Sequence, residues 1–402
     1  MWYFSLVLPL SIARSGSILG TIIAKIYNAT FSRTAMKPYE RFHPFQNDFR
    51  DPFSRDRDRV IHCSSFRRLE YKTQVFLNHE GDYFRTRLTH SLEVSQIART
   101  LARQLGLNET LAEVIALSHD LGHTPFGHVG GDELDRMLKA DGHELGFEHN
   151  FQSFRVLTKL EKRYKEFDGL NLTFATLEGV LKHSYPYEKP FLKELDARFA
   201  LDRHPSLEAM VVDHADEIAY TSHDIDDGVK YGLITFEDLL EEPLCRRVDA
   251  MVEEEGVMRD EPLYRHRFVA GLIKLLVEDF IENSGEKTAH YRREDPICAT
   301  IDAKEPLPAS FSKETATELK LLKKRLFKKL YKHEKIVRKM HAGKQCIKGL
   351  YRAFSEDHDL LPSHQKALFE VRSPHRVVAD YLAAMTDRYA MKTYHELYGL
   401  SL

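Results

Sequence analysis

A mainly α-helical fold is predicted for this chain, and three observations predict it. Apolar residues recur at three- and four-residue steps through most of residues 51–228, strand-like alternation is nearly absent, and the helical pattern resumes after Gly232. Its 402 residues are enough for one large domain or two ordinary ones. With 61 acidic against 58 basic residues, no global field selects a polyanionic partner, so any phosphate site must be a local cluster of bases. Four cysteines, Cys63, Cys245, Cys298 and Cys346, lie far apart without a CxxC pair. That indicates neither a zinc ribbon nor a disulfide framework and fits a reducing, cytoplasmic location.

The chain opens on two apolar runs, residues 2–10 and 18–26, separated by Ala13, Arg14 and Ser15. Neither reaches the roughly 20 residues that span a bilayer, and no basic residue precedes the first, so no membrane association is expected. From Met36 the composition matches that of the rest of the chain. Residues 1–35 are therefore read as a dispensable extension or a misassigned start, 36–235 as the core that carries the chemistry, and 236–402 as a helical region packed on it. Residues 73–76 and 82–85, either side of Asn78, His79, Glu80 and Gly81, could pair as a small β-hairpin. Residues 260–279 and 315–340 read as helices, with a joint over 283–312 where glycine, serine and prolines gather. Within 319–340, Leu319, Leu322, Leu326 and Leu330 form one apolar face on a strongly basic helix. Its lysines read first as a solvated face and second as a contact for an anionic partner, single-stranded DNA or a regulatory nucleotide.

Three patches carry metal-type ligands. In RTRLTHSLEVSQIARTLARQL, His90 shares helical spacing with Val94, Ile97 and Leu101, which puts it on the buried face. In ETLAEVIALSHDLGHTPFGH, His119 follows Leu111 and Ile115 at four-residue steps and is joined by Asp120. Gly122 and Pro125 end that helix, so His123 and His128 should project from a loop over the same place. In LEAMVVDHADEIAYTSHDIDDGV, Val212, Asp216, Tyr220 and Asp224 form one stripe that begins among apolar residues. A buried carboxylate needs a partner or a cation. His90, His119, Asp120 and Asp216 together make a mixed nitrogen and oxygen shell suited to one divalent ion, Mn, Mg, Fe or Zn. Such an ion acidifies water and polarises phosphoryl oxygen, which points to hydrolysis of phosphate esters or anhydrides.

These residues carry a resemblance. The H…HD…D order resembles the HD superfamily, and the blocks RDRDRVIHCSSFRRLEYKTQVF, TRLTHSLEVSQIAR, HDLGHTPFGHVGGDEL, GFEHNFQSFRVL, DEIAYTSHDIDD and VVADYLAAMTDRYA resemble, in order, the bacterial deoxyguanosine triphosphate triphosphohydrolase family. The resemblance implies an HD-domain helical bundle that hydrolyses a deoxynucleoside triphosphate at its α-phosphorus to deoxynucleoside and tripolyphosphate. It implies a homo-oligomer, a state that apolar faces on the C-terminal helices would also favour, and it leaves open a dNTP or single-stranded DNA effector. His90, His119, Asp120 and Asp216 fall on the metal ligands, His128 on the catalytic histidine, and His123 and His149 beside the phosphates. Arg87 falls on the arginine that grips phosphate, Gln74 and Val75 on the pair that meets the deoxyribose, Tyr220 on the residue that stacks on the sugar, and Asp224 on the acceptor for its 3′-hydroxyl. Where many relatives carry an acid three residues after the catalytic histidine, this chain has Gly131, with Asp132 next as the candidate for the proton relay. Glu217 replaces a lysine that binds phosphate in a mammalian member of the superfamily, which makes Arg67, Arg68 and Lys72 the candidate bases. The competing readings are a nucleotidase or phosphodiesterase on the same metal site, and a nucleotide- or nucleic-acid-binding oligomer without catalysis.

Overall fold

The computed structural model describes residues 38–44, 49–74, 85–184, 195, 199–294 and 301–399. The extension over 1–35 lies outside them, as does most of the expected hairpin. Among the described residues there is no β-strand; Thr73 and Thr86 form one isolated antiparallel bridge where the hairpin would close. The fold is helical, as the periodicity predicts.

The site rests on three helices: α1 (Arg87–Leu105), α2 (Glu109–Ser118) and, further along, a long helix over Leu207–Lys230. Each begins on a side-chain cap. Thr86 and Thr89 bond reciprocally at the start of α1, Asn108 accepts from Leu111 N at the start of α2, and Ser206 accepts from Ala209 N before the third. Gly106 ends α1 at φ 68°, a left-handed conformation that glycine adopts without cost. Between α2 and the long helix lie α3 (Gly127–Ala140), α4 (His149–Arg155) and α5 (Phe174–Leu181), which makes Leu207–Lys230 α6. Helices α1, α2 and α6 pack on one another pairwise through fully buried residues such as Val94, Leu101, Leu111, Ile115 and Ile218.

The C-terminal region comprises α7 (Pro243–Glu254), α8 (Tyr264–Glu294), α9 (Lys313–Leu326), α10 (Glu334–Glu356), α11 (Pro374–Ala383) and α12 (Asp387–Tyr398). Two sequence expectations change here. Helix α8 does not end near Asn283 but runs to Glu294, because Asn283 and Ser284 dock on the Ser310 backbone: Asn283 Nδ2 donates to Ser310 O at 2.7 Å and Ser310 N donates to Ser284 Oγ at 3.0 Å. The helix expected over 315–340 is broken by a π-turn at Phe327–Tyr331, after which His333 caps α10. Leu319, Leu322, Leu326 and Leu330 are buried as expected, while Lys323, Arg325 and Lys329 are ion-paired to Glu217, Glu242 and Asp238.

The apolar faces of the C-terminal helices find a partner within the chain. Leu134, Met137 and Leu138 of α3 share one core with Ile347, Leu350 and Phe354 of α10 and with Val378 and Leu382 of α11. No described helix is long and apolar enough to cross a membrane, and Cys63, Cys245 and Cys346 are buried free thiols.

Candidate active site

Arg87 opens α1 and His90 lies one turn in, so both project from the same helix start. His119 follows the end of α2 and begins a 3-10 turn, His119–Gly122, that carries Asp120. Asp216 lies in mid α6. The turn can press against α4 because residue 122 is glycine: a Cβ there would lie 2.1 Å from Ser153 N and 2.2 Å from His149 O. Ser153 Oγ latches the contact, accepting from Gly122 N at 2.8 Å and donating to His119 O at 2.7 Å.

The four expected ligands converge. His90 Nε2 lies 2.9 Å from Asp216 Oδ1, and His119 Nε2 lies 3.5 Å from Asp120 Oδ1 and 3.9 Å from Asp216 Oδ1. Donor atoms of His90, His119 and Asp120 lie within 4.8 Å of one another, as do those of His119, His183 and Asp216. Ring orientation suits ligation. His119 Nδ1 is 2.6 Å from Ala116 O, which can only accept, so in the neutral ring Nε2 keeps its lone pair for the site. His90 Nδ1 meets His223 Nδ1 at 3.5 Å, and His223 Nε2 is 2.6 Å from Glu93 Oε2. With Glu93 accepting from His223 and His223 from His90, the His90 lone pair also sits on Nε2. Glu93 and His223 carry no signal in the sequence: one looks like a solvent acid, the other like part of a polar helix face.

Charge is divided across the cavity. Burial alone would raise Asp120 and Asp216, but Arg87 and His119 for the first, His183 and His90 for the second, hold both carboxyls well below the usual range. Burial works to lower His90, but Asp216 more than offsets it and raises the ring; a bound cation would take the place of that proton. Beyond Asp120 lies a basic cluster. Arg87 is almost fully buried with one guanidinium nitrogen 2.9 Å from Asp120 Oδ2, and His123, His128 and His149 have donor atoms within 4.8 Å of one another. Burial followed by Arg87 lowers His123 and His128, and burial brings His149 down to about 4, so all three rings are neutral at neutral pH. His128 nevertheless stands exposed at the cavity mouth, where solvent and ligand can both reach it.

The four expected ligands, Arg87, His123, His128 and His149 line one cavity of about 310 Å³, together with Gln74, Asn150 and Tyr220. That volume falls at the lower end of small-ligand pockets. Among the buried polar atoms of its wall, Gln74 Oε1, Arg87 Nε, His119 Nε2 and Asn150 Oδ1 make no hydrogen bond. Orphaned groups on this scale are costly unless a cation and a polar ligand satisfy them. The donor set and the orphans together fit a divalent metal with an anionic ligand beside it.

Several expected residues are placed differently. Val75 lies outside the described residues. Asp132 is exposed and lines an adjoining cavity that it shares with His128, and its charge acts on that ring. Asp224 is buried behind the cavity wall and accepts from the Tyr331 hydroxyl, which itself lines the cavity. Lys72 is not a phosphate base: its buried Nζ donates to His123 O and, at 2.8 Å, to Ala383 O, so its charge is spent on holding backbone. Arg67 and Arg68 reach His62 O and Ser65 Oγ instead of the cavity. Lys339 of α10 is the lysine in the wall, and nothing in its local pattern marks it among so many others. Lys323 lies 5.4 Å over the Tyr220 ring and pairs with Glu217 at 2.7 Å, so the position that lacks a lysine on α6 borrows one from α9.

Residues 87–221 match the HD domain family and residues 309–396 the phosphohydrolase-associated domain. A deoxyguanosinetriphosphate triphosphohydrolase-like protein from Wolinella succinogenes is 63% identical over 365 residues, covering 90% of this chain and 100% of the relative. Proteins of the same description from Geobacter metallireducens and Ralstonia nicotianae are 44% and 47% identical, covering 91% and 88% of this chain and 94% and 89% of their own lengths.

Proposed function

The chain belongs to the deoxyguanosinetriphosphate triphosphohydrolase-like family of HD-domain phosphohydrolases, and on that premise we propose that it hydrolyses deoxynucleoside triphosphates to deoxynucleoside and tripolyphosphate. The observation that carries the reading is the division of one cavity into a carboxylate and histidine half and an arginine and neutral-histidine half. A divalent ion, Mn, Mg, Fe or Zn, held by His90, His119, Asp120 and Asp216 would supply acidified water and polarise phosphoryl oxygen.

The remaining work falls to the chain's own side chains. The planar guanidinium of Arg87 suits a phosphate group, and its unpartnered Nε offers a donor to a phosphate oxygen. His123 and His149, held neutral, present hydrogen bonds to phosphate without adding charge that the ligand would have to compensate. His128 is neutral and open to solvent, the state and place required to take or return a proton at the scissile bond. Gln74 Oε1 accepts from the sugar, and Tyr220 with Tyr331 closes the sugar side.

The test is product analysis with each of the four dNTPs and Mn²⁺ or Mg²⁺, scoring tripolyphosphate, pyrophosphate and orthophosphate separately. Tripolyphosphate in step with deoxynucleoside is the expected result. Orthophosphate alone would replace this reading with a nucleotidase, and binding without any product would replace it with a nucleotide sensor.

A further inference from the structure

His183 follows the end of α5 and stands in the cavity wall, 5% exposed. Its backbone is held by another residue of the cavity wall, Asn150, whose Nδ2 donates to His183 O at 2.8 Å. Its ring abuts a carboxylate as well: Nδ1 lies 2.5 Å from Asp213 Oδ1. Asp213 sits one turn before Asp216 on α6, so the helix that supplies a metal ligand also supplies the orienting carboxylate. Nε2 is thereby turned into the cavity, 3.6 Å from Asp216 Oδ2, with the His119 ring centroid 5.1 Å away.

Two features distinguish this from a histidine that merely props up Asp216. A separation of 3.6 Å is too long for a hydrogen bond yet matches the spacing between neighbouring ligands on one ion, like the 3.5 Å between His119 Nε2 and Asp120 Oδ1. Asp216 also presents its two oxygens to different partners, Oδ1 to His90 and His119 and Oδ2 to His183. The carboxylate, histidine and cavity order is the arrangement by which proteins orient metal-binding imidazoles. Resting on the metal reading of this cavity, we infer that His183, oriented by Asp213, is a further protein ligand of the divalent-metal centre, on its Asp216 side.

The test counts coordinated imidazoles. In the Co²⁺-loaded protein each coordinated histidine contributes one hyperfine-shifted, exchangeable ring N–H proton to the NMR spectrum. Three are expected, from His90, His119 and His183, falling to two in His183→Gln, and Asp213→Asn should weaken Co²⁺ binding by about 10- to 100-fold. Two in the wild-type spectrum, a count that needs no variant to fold, would overturn the assignment while leaving a four-ligand centre intact. Failure of the wild-type protein to bind Co²⁺, Mn²⁺ or Zn²⁺ in calorimetry would overturn both the assignment and the metal reading beneath it.

Discussion

Asp387→Ala probes how the C-terminal region holds the active site. Asp387 opens α12, is 2% exposed, and accepts from two backbone amides that lie far from it in sequence: Thr73 N to Oδ2 at 3.1 Å and Phe126 N to Oδ1 at 3.0 Å. Thr73 adjoins Gln74, and Phe126 lies between His123 and His128 with φ of 62°, a strained conformation for a side chain of that size. Alanine would leave both buried donors without an acceptor, at about 1–3 kcal/mol each, so the expected loss of stability is about 2–6 kcal/mol. Urea unfolding followed by circular dichroism should show a lower midpoint at unchanged slope. Divalent-metal affinity should hold, because Asp387 touches no metal ligand, while dNTP turnover should fall as Gln74 and His128 lose their positions. Asp387→Asn should fall between, since its amide can accept from one of the two donors and must oppose the other. A loss below about 0.5 kcal/mol, the range of an ordinary surface substitution, would refute the account of Asp387 as the tie between the two loops.

His128→Ala should lower kcat by about 10²- to 10⁴-fold with little change in KM, as measured by steady-state tripolyphosphate release; equal losses in kcat and substrate affinity would make His128 a binding residue. Gly122→Ala should destabilise by about 1–3 kcal/mol or more in thermal melts, because its Cβ would lie 2.1 Å from backbone that cannot step aside without moving α4. Asp224→Asn tests a pH dependence. Burial, partly offset by the Tyr331 hydrogen bond, pushes Asp224 up to about 7. A carboxyl that holds its proton more tightly when folded stabilises the fold fully below the ordinary carboxylate range, and that contribution is lost as pH rises through about 7. The wild-type chain should therefore lose stability across that window relative to Asp224→Asn, and parallel profiles in chemical denaturation would show that Asp224 does not titrate there.

The range of each interaction decides how legible it is in the sequence. His90, His119 and Asp216 are readable because each sits in phase with apolar residues on its own helix, and the 3.6-residue period carries that phase locally. The caps at Thr86, Asn108 and Ser206 are equally local. Lys72 misleads because its charge suggests a phosphate ligand, whereas burial among Arg68 and Arg87 pulls it down to about 7 and two carbonyls claim its ammonium. The Glu93, His223 and His90 chain joins α1 to α6, and Asp387 reaches Thr73 across more than three hundred residues; no window of sequence contains either contact. Helix α8 outruns its expected end for the same reason, since Ser310 stabilises a serine and asparagine pair that would weaken an isolated helix.

The placement of Arg87 explains why the two halves of the cavity can coexist. A guanidinium beside a metal centre would ordinarily oppose a cation, yet here it pairs with Asp120 Oδ2 at 2.9 Å and helps keep that carboxyl ionised, so its charge is partly committed to the ligand set. Its field also lowers His123 and His128, which prevents the basic cluster from becoming a block of three imidazolium charges next to the ion. The same residue thus sharpens the carboxylate side, keeps the histidine side neutral, and retains an unpartnered Nε for an incoming anion. An Arg87→Lys exchange keeps the charge but not the planar fork, and a compact ammonium on that shorter reach could not serve Asp120 and a phosphate oxygen together. Loss of substrate affinity with metal binding retained is therefore the signature that Arg87 works as a bridge between the two halves, and equal affinity in the lysine variant would reduce it to a point charge.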